Sequence, residues 1–335
     1  MRAFEQSMEL ATSHGDAVLR GTADMHVGMS TILTERGDLE TAQRHLLRSH
    51  ELGEHMGLPQ NPHRWRIAMA RIKEADGDLD ASVALLDDAE RMYAGDFSPD
   101  VRPVSAMRAR VWIRQGRLDD ARDWARERAR EQGLPADDRA YLREFEHITL
   151  ARLLLAQSST DDATRLLEGL LRSAEEGGRT GSVIEILVLL AIAHQKQRDL
   201  GAALEFVQRA LSLAEPEGYV RVFIDEGSPM AVLLKAAADR GIAADYARRL
   251  LAASGTEQTI VTQDLVDPLS DRELDVLRLL GSDLSGPDIA RELVVSLNTV
   301  RTHTKNIYAK LGVNNRRSAV RQADELGLLS QARNR

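Results

Sequence analysis

The sequence predicts an all-α fold in two parts: a superhelix of stacked helical hairpins, then a small bundle of four helices. Three observations carry that expectation. Ala, Leu, Arg, Glu and Asp dominate a chain that is 43% hydrophobic, 29% charged and only 4% aromatic, a composition typical of helices. One pattern recurs about every forty residues through the first two thirds of the chain. Finally, a chain of formal charge −8 contains six cations and no Asp or Glu between Leu293 and Ala323.

The recurring pattern stands in "RGDLETAQRHLLRSHEL" from Arg36, "DGDLDASVALLDDAERM" from Asp76 and "QGRLDDARDWARERARE" from Gln115. It continues more loosely in "QSSTDDATRLLEGLLRS" from Gln157 and "QRDLGAALEFVQRALSL" from Gln197. Its first aligned position falls at Gly37, Gly77, Gly116, Ser158 and Arg198, at intervals of 40, 39, 42 and 40. Five residues on stands a small residue: Ala42, Ser82, Ala121, Ala163 or Ala203. Nine on stands an apolar one: Leu46, Leu86, Ala125, Leu167 or Val207. A glycine that accepts left-handed backbone ends one helix, and the polar residues after it start the next. The small residue allows close approach of the two helices, and the apolar column faces a neighbour. One hairpin cannot bury its own apolar face, so the units must stack.

The repeats resemble tetratricopeptide arrays, with a period nearer forty than the usual ~34. The opening "AFEQSMELATSHG" reads as the second helix of a hairpin whose first half is missing, which suggests a piece or descendant of a longer protein. The expected division is a repeat domain over 1–215 that receives a signal or partner, a helical connector and linker over 216–264, and a terminal module over 265–331.

Composition narrows the function classes. There is no cysteine, which removes disulfides, thiolate nucleophiles and Cys-ligated zinc. No apolar run approaches the ~20 residues of a membrane span. The start carries acids and lacks an apolar secretory segment, so a cytoplasmic location is expected. Charge is unevenly placed. Of 44 cations and 52 acids, 11 and 8 lie from residue 268 onward, so that stretch is +3 and the remainder −11. Two parts of opposite sign point to different partners.

The basic module opens after Asp267-Pro268. "LSDRELDVLRLLG" pairs Ser270 with Glu273 in a capping box, and Leu274, Leu277 and Leu280 share a face. In "SGPDIARELVV" Ser285 caps, Pro287 sits in the first turn and Asp288 completes a second box. Ser296 then caps a third helix with Val300, Ile307 and Leu311 as its buried stripe. A fourth helix, closed by Gly327, is expected from "NNRRSAVRQADELGLL". Two short helices joined by a tight turn, the second with an acid-free polar face, form a helix-turn-helix, whose second helix enters the major groove of duplex DNA. Arg301 and Lys305 are one turn apart with Thr302 beside them, on a face turned away from that stripe. Carboxylates there would repel phosphate.

Residues 269–329 resemble the DNA-binding domain of LuxR-type (NarL/FixJ-type) transcriptional regulators. The match runs through "LSDRELDVL", "DIARELVVS", "TVRTHTKNIYAKLGV" and "AVRQADELGLL". The resemblance implies a four-helix domain that dimerises through its last helix on operator DNA. It implies base contacts from Arg301, Thr302 and Lys305, with Thr299 on the phosphate backbone. Ser285, Ser296, His303, Arg316 and Arg317 are further candidates for backbone contacts, as is Arg321. The run "GSDLSGP" departs from the family, with Asp283 in place of its usual Gly and Gly286-Pro287 in place of an Asn and its neighbour. The segment "LAEPEGYVRVFIDEGSPMAVLL" from Leu213 is similar to the region after the helical array in large, ATP-dependent LuxR-type regulators of the maltose-activator-like group. Those carry a P-loop ATPase; here the dipeptide Gly-Lys never occurs, so no nucleotide cofactor is expected.

No enzyme site emerges. "HELGEH" from His50 resembles a zinc-protease motif, but Glu54 stands where the second His belongs, and His55 lies five residues on, about 140° around the helix. The reading is a homodimeric, DNA-binding transcriptional regulator without metal or cofactor, with a small-molecule or protein ligand received in the repeat groove. The alternative is a protein-binding repeat scaffold with a degenerate helix-turn-helix.

Overall fold

The computed structural model describes residues 19–53, 57–93, 100–132, 141–254, 269–282, 284–293, 295–310, 316, 319, 320 and 323. Every regular element among them is helical. The chain divides into two compact units, Met1–Ser254 and Gly255–Arg335. The expected half-hairpin at 3–15 lies outside the described residues, as do Pro268 and most of the expected fourth helix.

The first unit pairs α1 (Thr22–Glu35) with α2 (Leu39–Leu52), α3 (Asn61–Ala75) with α4 (Leu79–Arg91), and α5 (Val104–Arg114) with α6 (Leu118–Gln132). It continues with α7 (Glu144–Ala156) and α8 (Thr160–Glu176), then α9 (Thr180–Lys196) and α10 (Leu200–Ala214). All five aligned turn positions take left-handed backbone: Gly37, Gly77 and Gly116 at φ 81, 83 and 74, Ser158 and Arg198 at φ 63 and 64. Each turn closes with a backbone bond back to the sixth residue, such as Asp38 N–H to Leu33 O at 3.0 Å and Asp199 N–H to His194 O at 2.9 Å. Asp38, Asp78 and Asp199 then cap the second helix by accepting from the amides of Thr41, Ala81 and Ala202.

The sequence pattern missed a sixth turn of the same kind, at Gly178 (φ 64) between α8 and α9. With it, the left-handed positions stand at 158, 178 and 198, twenty residues apart. Two of these six positions are not glycine, and a side chain there costs about 1 kcal/mol. Arg198→Gly is therefore expected to raise the array's unfolding free energy by about 0.5 kcal/mol, the strain relieved being partly offset by glycine's chain entropy. Gly77→Ala is expected to lower it by about 1 kcal/mol. A Cβ on Gly77 meets no atom within 4 Å, so its cost is backbone conformation alone. Thermal unfolding of both variants checks the opposed signs.

The small column is buried completely at Ala42, Ser82, Ala121, Ala163 and Ala203. Leu46, Leu86, Leu167 and Val207 are buried nine residues after the turns. In the third hairpin Ala125 is only half-buried, and the neighbouring Trp124 takes the interior place. Helix α9 is apolar all round because it packs between α8, α10 and the helices that follow, and every residue from Ile186 to Ala193 is buried.

Those following helices are α11 (Arg221–Ile224), α12 (Ser228–Asp239) and α13 (Ala244–Ala253). They pack on the array: α12 lies against α9 and α10, and Phe223 is fully buried with its ring edge-on to Tyr246. Residues 217–222 also reach back to the first hairpin. Val220 N–H donates to Glu35 O at 3.0 Å, Val222 N–H to Glu35 Oε1 at 2.9 Å, and Arg36 Nε to Glu217 O at 3.1 Å. Gly37 leaves room for this contact, since a Cβ there would stand 3.3 Å from Val220 Cγ1.

In the second unit, α14 (Asp271–Leu280), α15 (Gly286–Glu292) and α16 (Leu297–Lys310) enclose one core. Val276, Leu277, Leu280, Ile289, Val300 and Ile307 are buried together with Ala319 and Ala323. The Ser270–Glu273 capping box is formed in both directions, at 3.3 and 2.8 Å. Pro287 sits in the first turn of α15. A Cβ on Gly286 would make only ordinary contact, 3.5 Å from Leu297, so this departure from the family leaves the helix start intact.

Candidate nucleic-acid interface

Helix α16 has two faces because its residues advance about 100° each. Val300 and Ile307 point into the core at 3% and 0% exposure. Thr304, on the same side, donates its hydroxyl to Val300 O at 2.8 Å. Arg301, Thr302 and Lys305 are exposed on the other side. Neither Arg301 nor Lys305 pairs with a carboxylate among the described residues. Asn306, one turn after Thr302 and also exposed, joins this face. The sequence reading passed over it, although the four-residue spacing was the available signal.

The backbone candidates divide sharply. Ser296 caps α16, its Oγ accepting from Thr299 N–H at 3.1 Å and bonding Thr299 Oγ1 at 2.8 Å. Both hydroxyls therefore sit at the amino end of the helix, where amide hydrogens attract anions. His303 is half-buried. Ser285 bonds the Asp288 carboxylate through both its hydroxyl and its amide, which holds that carboxyl below its usual range. Its hydroxyl hydrogen is thus committed to a cap.

Arg316 departs from the expectation. Its guanidinium donates to four carbonyls: Nε to Leu280 at 2.8 Å, Nη1 to Leu284 at 2.7 Å, and Nη2 to Ser282 at 2.5 Å and Leu279 at 3.4 Å. With only five N–H groups, four of them used, it fastens the end of α14 and the turn beyond it instead of presenting charge to phosphate. No sequence signal marks this role, because the contacts span 32–37 residues. Arg317, Arg321, Leu311 and Asp283 lie outside the described residues.

Lys310 is likewise turned inward. Its ammonium bonds Glu273 Oε2 at 2.9 Å, with Glu273 only 4% exposed at its side chain. Burial alone would raise the Glu273 carboxyl, but the Lys310 and Ser270 bonds outweigh it and hold it below the ordinary value. A depressed carboxylate stabilises above its unfolded pKa and loses that contribution as pH falls through the folded one. Lys310→Met leaves a buried carboxylate unpaired and is expected to cost about 3 kcal/mol at neutral pH, shrinking below pH 4. Urea unfolding at the two pH values measures it.

A cavity of about 630 Å³ opens inside the first unit, between α1, α3, α5, α7, α9 and residues 217–229. Glu185 lies at its wall, with Oε1 2.7 Å from Arg110 Nη1 and 2.9 Å from Arg152 Nη2. Arg152 also meets Glu226 at 2.5 Å, and Arg110 stacks on the Phe145 ring at 3.6 Å. Burial would raise the Glu185 carboxyl, yet the two guanidiniums hold it at about 2. Burial, then the charges of Arg152 and Arg102, pull Arg110 down to about 10. In the "HELGEH" run, set aside as a zinc motif on spacing, the His50 ring lies 5.8 Å from the Trp65 ring, and Glu54 and His55 lie outside the described residues.

Comparison with known proteins agrees with this layout. Residues 1–240 match the model of the MalT-like TPR region, and residues 267–323 match that of bacterial regulatory proteins of the luxR family. The chain belongs to the MalT-like TPR family. Among similar proteins are those named HTH-type transcriptional regulator MalT from Serratia proteamaculans (strain 568) and from Klebsiella pneumoniae (strain 342). They are 27% identical over 293 and 301 residues. The one from Yersinia pestis (strain Pestoides F) is 26% identical over 293 residues. Each alignment covers 80% of this chain and 32% of the relative, so the chain spans about a third of the length of these MalT proteins. Within this chain the MalT-like TPR match is followed by the luxR-family match. No described helix is long and apolar enough to cross a membrane.

Proposed function

We propose that this MalT-like chain is a transcriptional regulator that binds duplex DNA through α16. The observation that carries this is one helix with a buried Val300–Ile307 side and an exposed side bearing Arg301 and Lys305, neither of them paired with a carboxylate among the described residues. Arg301, Thr302 and Lys305 read base edges in the major groove, and Asn306 borders them. Thr299, Ser296 and His303 stand against the phosphate backbone, where the amino end of the helix adds amide donors. Ser285 is a weaker member of that group because its hydroxyl already caps α15. Arg317 remains a proposed phosphate contact from the sequence pattern. The module over 265–331 acts as a homodimer on a two-fold site in the cytoplasm, and the array over 1–215, closed by the helices after it, receives a small-molecule or protein signal.

A mobility-shift titration of the full chain on duplex DNA tests this. Affinity should fall steeply between 50 and 200 mM salt, as expected when several phosphates are neutralised. Lys305→Ala should weaken binding to a preferred sequence by ~1–3 kcal/mol while changing binding to random duplex much less. Equal losses on both would reduce Lys305 to a phosphate contact, and no binding at low salt would overturn the reading.

A further inference from the structure

Charge inside the array cavity does not follow the charge of the chain. The stretch before residue 268 is strongly acidic, yet the cavity wall carries eight cations against six carboxylates. Most of these cancel. Arg71 pairs with Glu35 at 3.1 Å and Arg114 with Glu74 at 3.3 Å. Arg221 pairs with Asp225, and Arg110 and Arg152 share Glu185 and Glu226. Three cations are left with no carboxylate in ion-pair range among the described residues: Arg36, Arg102 and Lys196. Arg36 donates to Glu217 O and Lys196 to Leu155 O, while Arg102 rests against the Phe145 ring at 5.6 Å. Glu217 is the one lining carboxylate without a described ion pair, so the wall carries an excess of about two positive charges.

Arg36 is half-buried and Arg102 and Lys196 are exposed, so the three unneutralised cations stand around one recess, within reach of solvent, and converge a positive potential on it. Ile113, Phe145, Leu155, Leu189 and Ile192 give the wall an apolar part, beside the hydroxyl residues Thr31, Thr34 and Tyr219. A volume of 630 Å³ lies within the range of small-molecule sites. We infer that this cavity is a binding site for a small organic dianion, with carboxylate or phosphate groups held by Arg36, Arg102 and Lys196 and an apolar part lying against Phe145. The three cations come from the first hairpin, the start of the third and the end of α9, so one ligand would tie together parts of the array far apart in sequence. Arg36 also belongs to the closure with residues 217–222, which places an occupant beside that contact. The inference rests on the reading of the array as the receiver of a small-molecule signal.

Calorimetric titration of the full chain with 2-naphthyl phosphate and, as neutral control, 2-naphthol tests it. The phosphate ester should bind at least tenfold more tightly than the naphthol. The triple variant Arg36→Gln, Arg102→Gln, Lys196→Gln should weaken the ester at least tenfold and leave the naphthol unchanged. Arg102→Gln alone removes no hydrogen bond among the described residues and should still weaken the ester several-fold, which covers a triple variant that fails to fold. Equal binding of both probes, or an ester affinity unaltered by Arg102→Gln, would overturn the assignment and favour a neutral ligand. Duplex binding measured on the same preparation separates the two readings. A chain that binds DNA without the ester contradicts the anion site alone, and one that binds the ester without DNA contradicts the regulator alone.

Discussion

Arg316→Met is expected to lower the stability of the carboxy-terminal unit by about 3 kcal/mol, and with it the melting temperature by more than about 10 °C. The methionine keeps the aliphatic stem but removes all four bonds to Leu279, Leu280, Ser282 and Leu284. Leu279 O also accepts from Ser282 N–H at 3.2 Å and Ser282 Oγ at 2.6 Å, so the loss falls mainly on the carbonyls of Leu280, Ser282 and Leu284, and bonds to a charged group are worth about 1.5–3 kcal/mol each before overlap is considered. Hydrogen exchange should therefore quicken first in α14 and the turn after it. DNA affinity should fall only as far as the unit unfolds. Unchanged stability with a large loss of DNA affinity would instead return Arg316 to the phosphate-contacting role expected from the sequence.

Glu185→Gln should destabilise the array by about 3–5 kcal/mol at pH 7, the largest effect expected there. It leaves Arg110 and Arg152, both deep in the wall, with Glu226 as their main remaining countercharge. Burial first, then the charges of Arg152 and Arg102, lower the Arg110 guanidinium, whereas at Arg152 burial is outweighed by Glu226 and Glu185, which raise it, and the guanidiniums hold the Glu185 carboxyl low against its burial. Because the folded Glu185 value is depressed to about 2, its stabilisation is complete above the ordinary glutamate range and is lost as pH falls toward 2. The gap between wild type and Glu185→Gln, followed by thermal unfolding, should therefore be widest above pH 5 and close in acid. A gap that grows in acid would contradict this electrostatic arrangement.

Much of the fold was legible because short-range chemistry fixes it. A glycine or its substitute at five spaced positions, followed by a small residue and an apolar one, specifies five left-handed turns and the columns that pack between them. The sixth turn at Gly178 escaped because it links neighbouring hairpins and lacks the pattern after it. Long-range bonds left no local trace. Glu35 meets Val222 across 187 residues, and nothing in either segment announces the other. The two faces of α16 were readable from helical periodicity, and Lys305 and Arg301 stand exposed where it puts them. Periodicity did not reveal that Lys310 and Arg316 spend their charge inside the unit. A basic stretch looks uniform in sequence, and only the positions of Glu273 and the α14 carbonyls divide it into groups that hold the bundle and groups that face outward.

The measurement that bears most directly on the role of α16 is selection of duplexes from a random pool by the full chain, followed by sequencing of the retained pool. Wild type should return a two-fold related motif, and Arg301→Ala, with an unchanged melting curve, should return the same motif relaxed at one base pair of each half-site. Retention of an unenriched pool by wild type, or an identical motif from Arg301→Ala, would contradict base recognition by this helix.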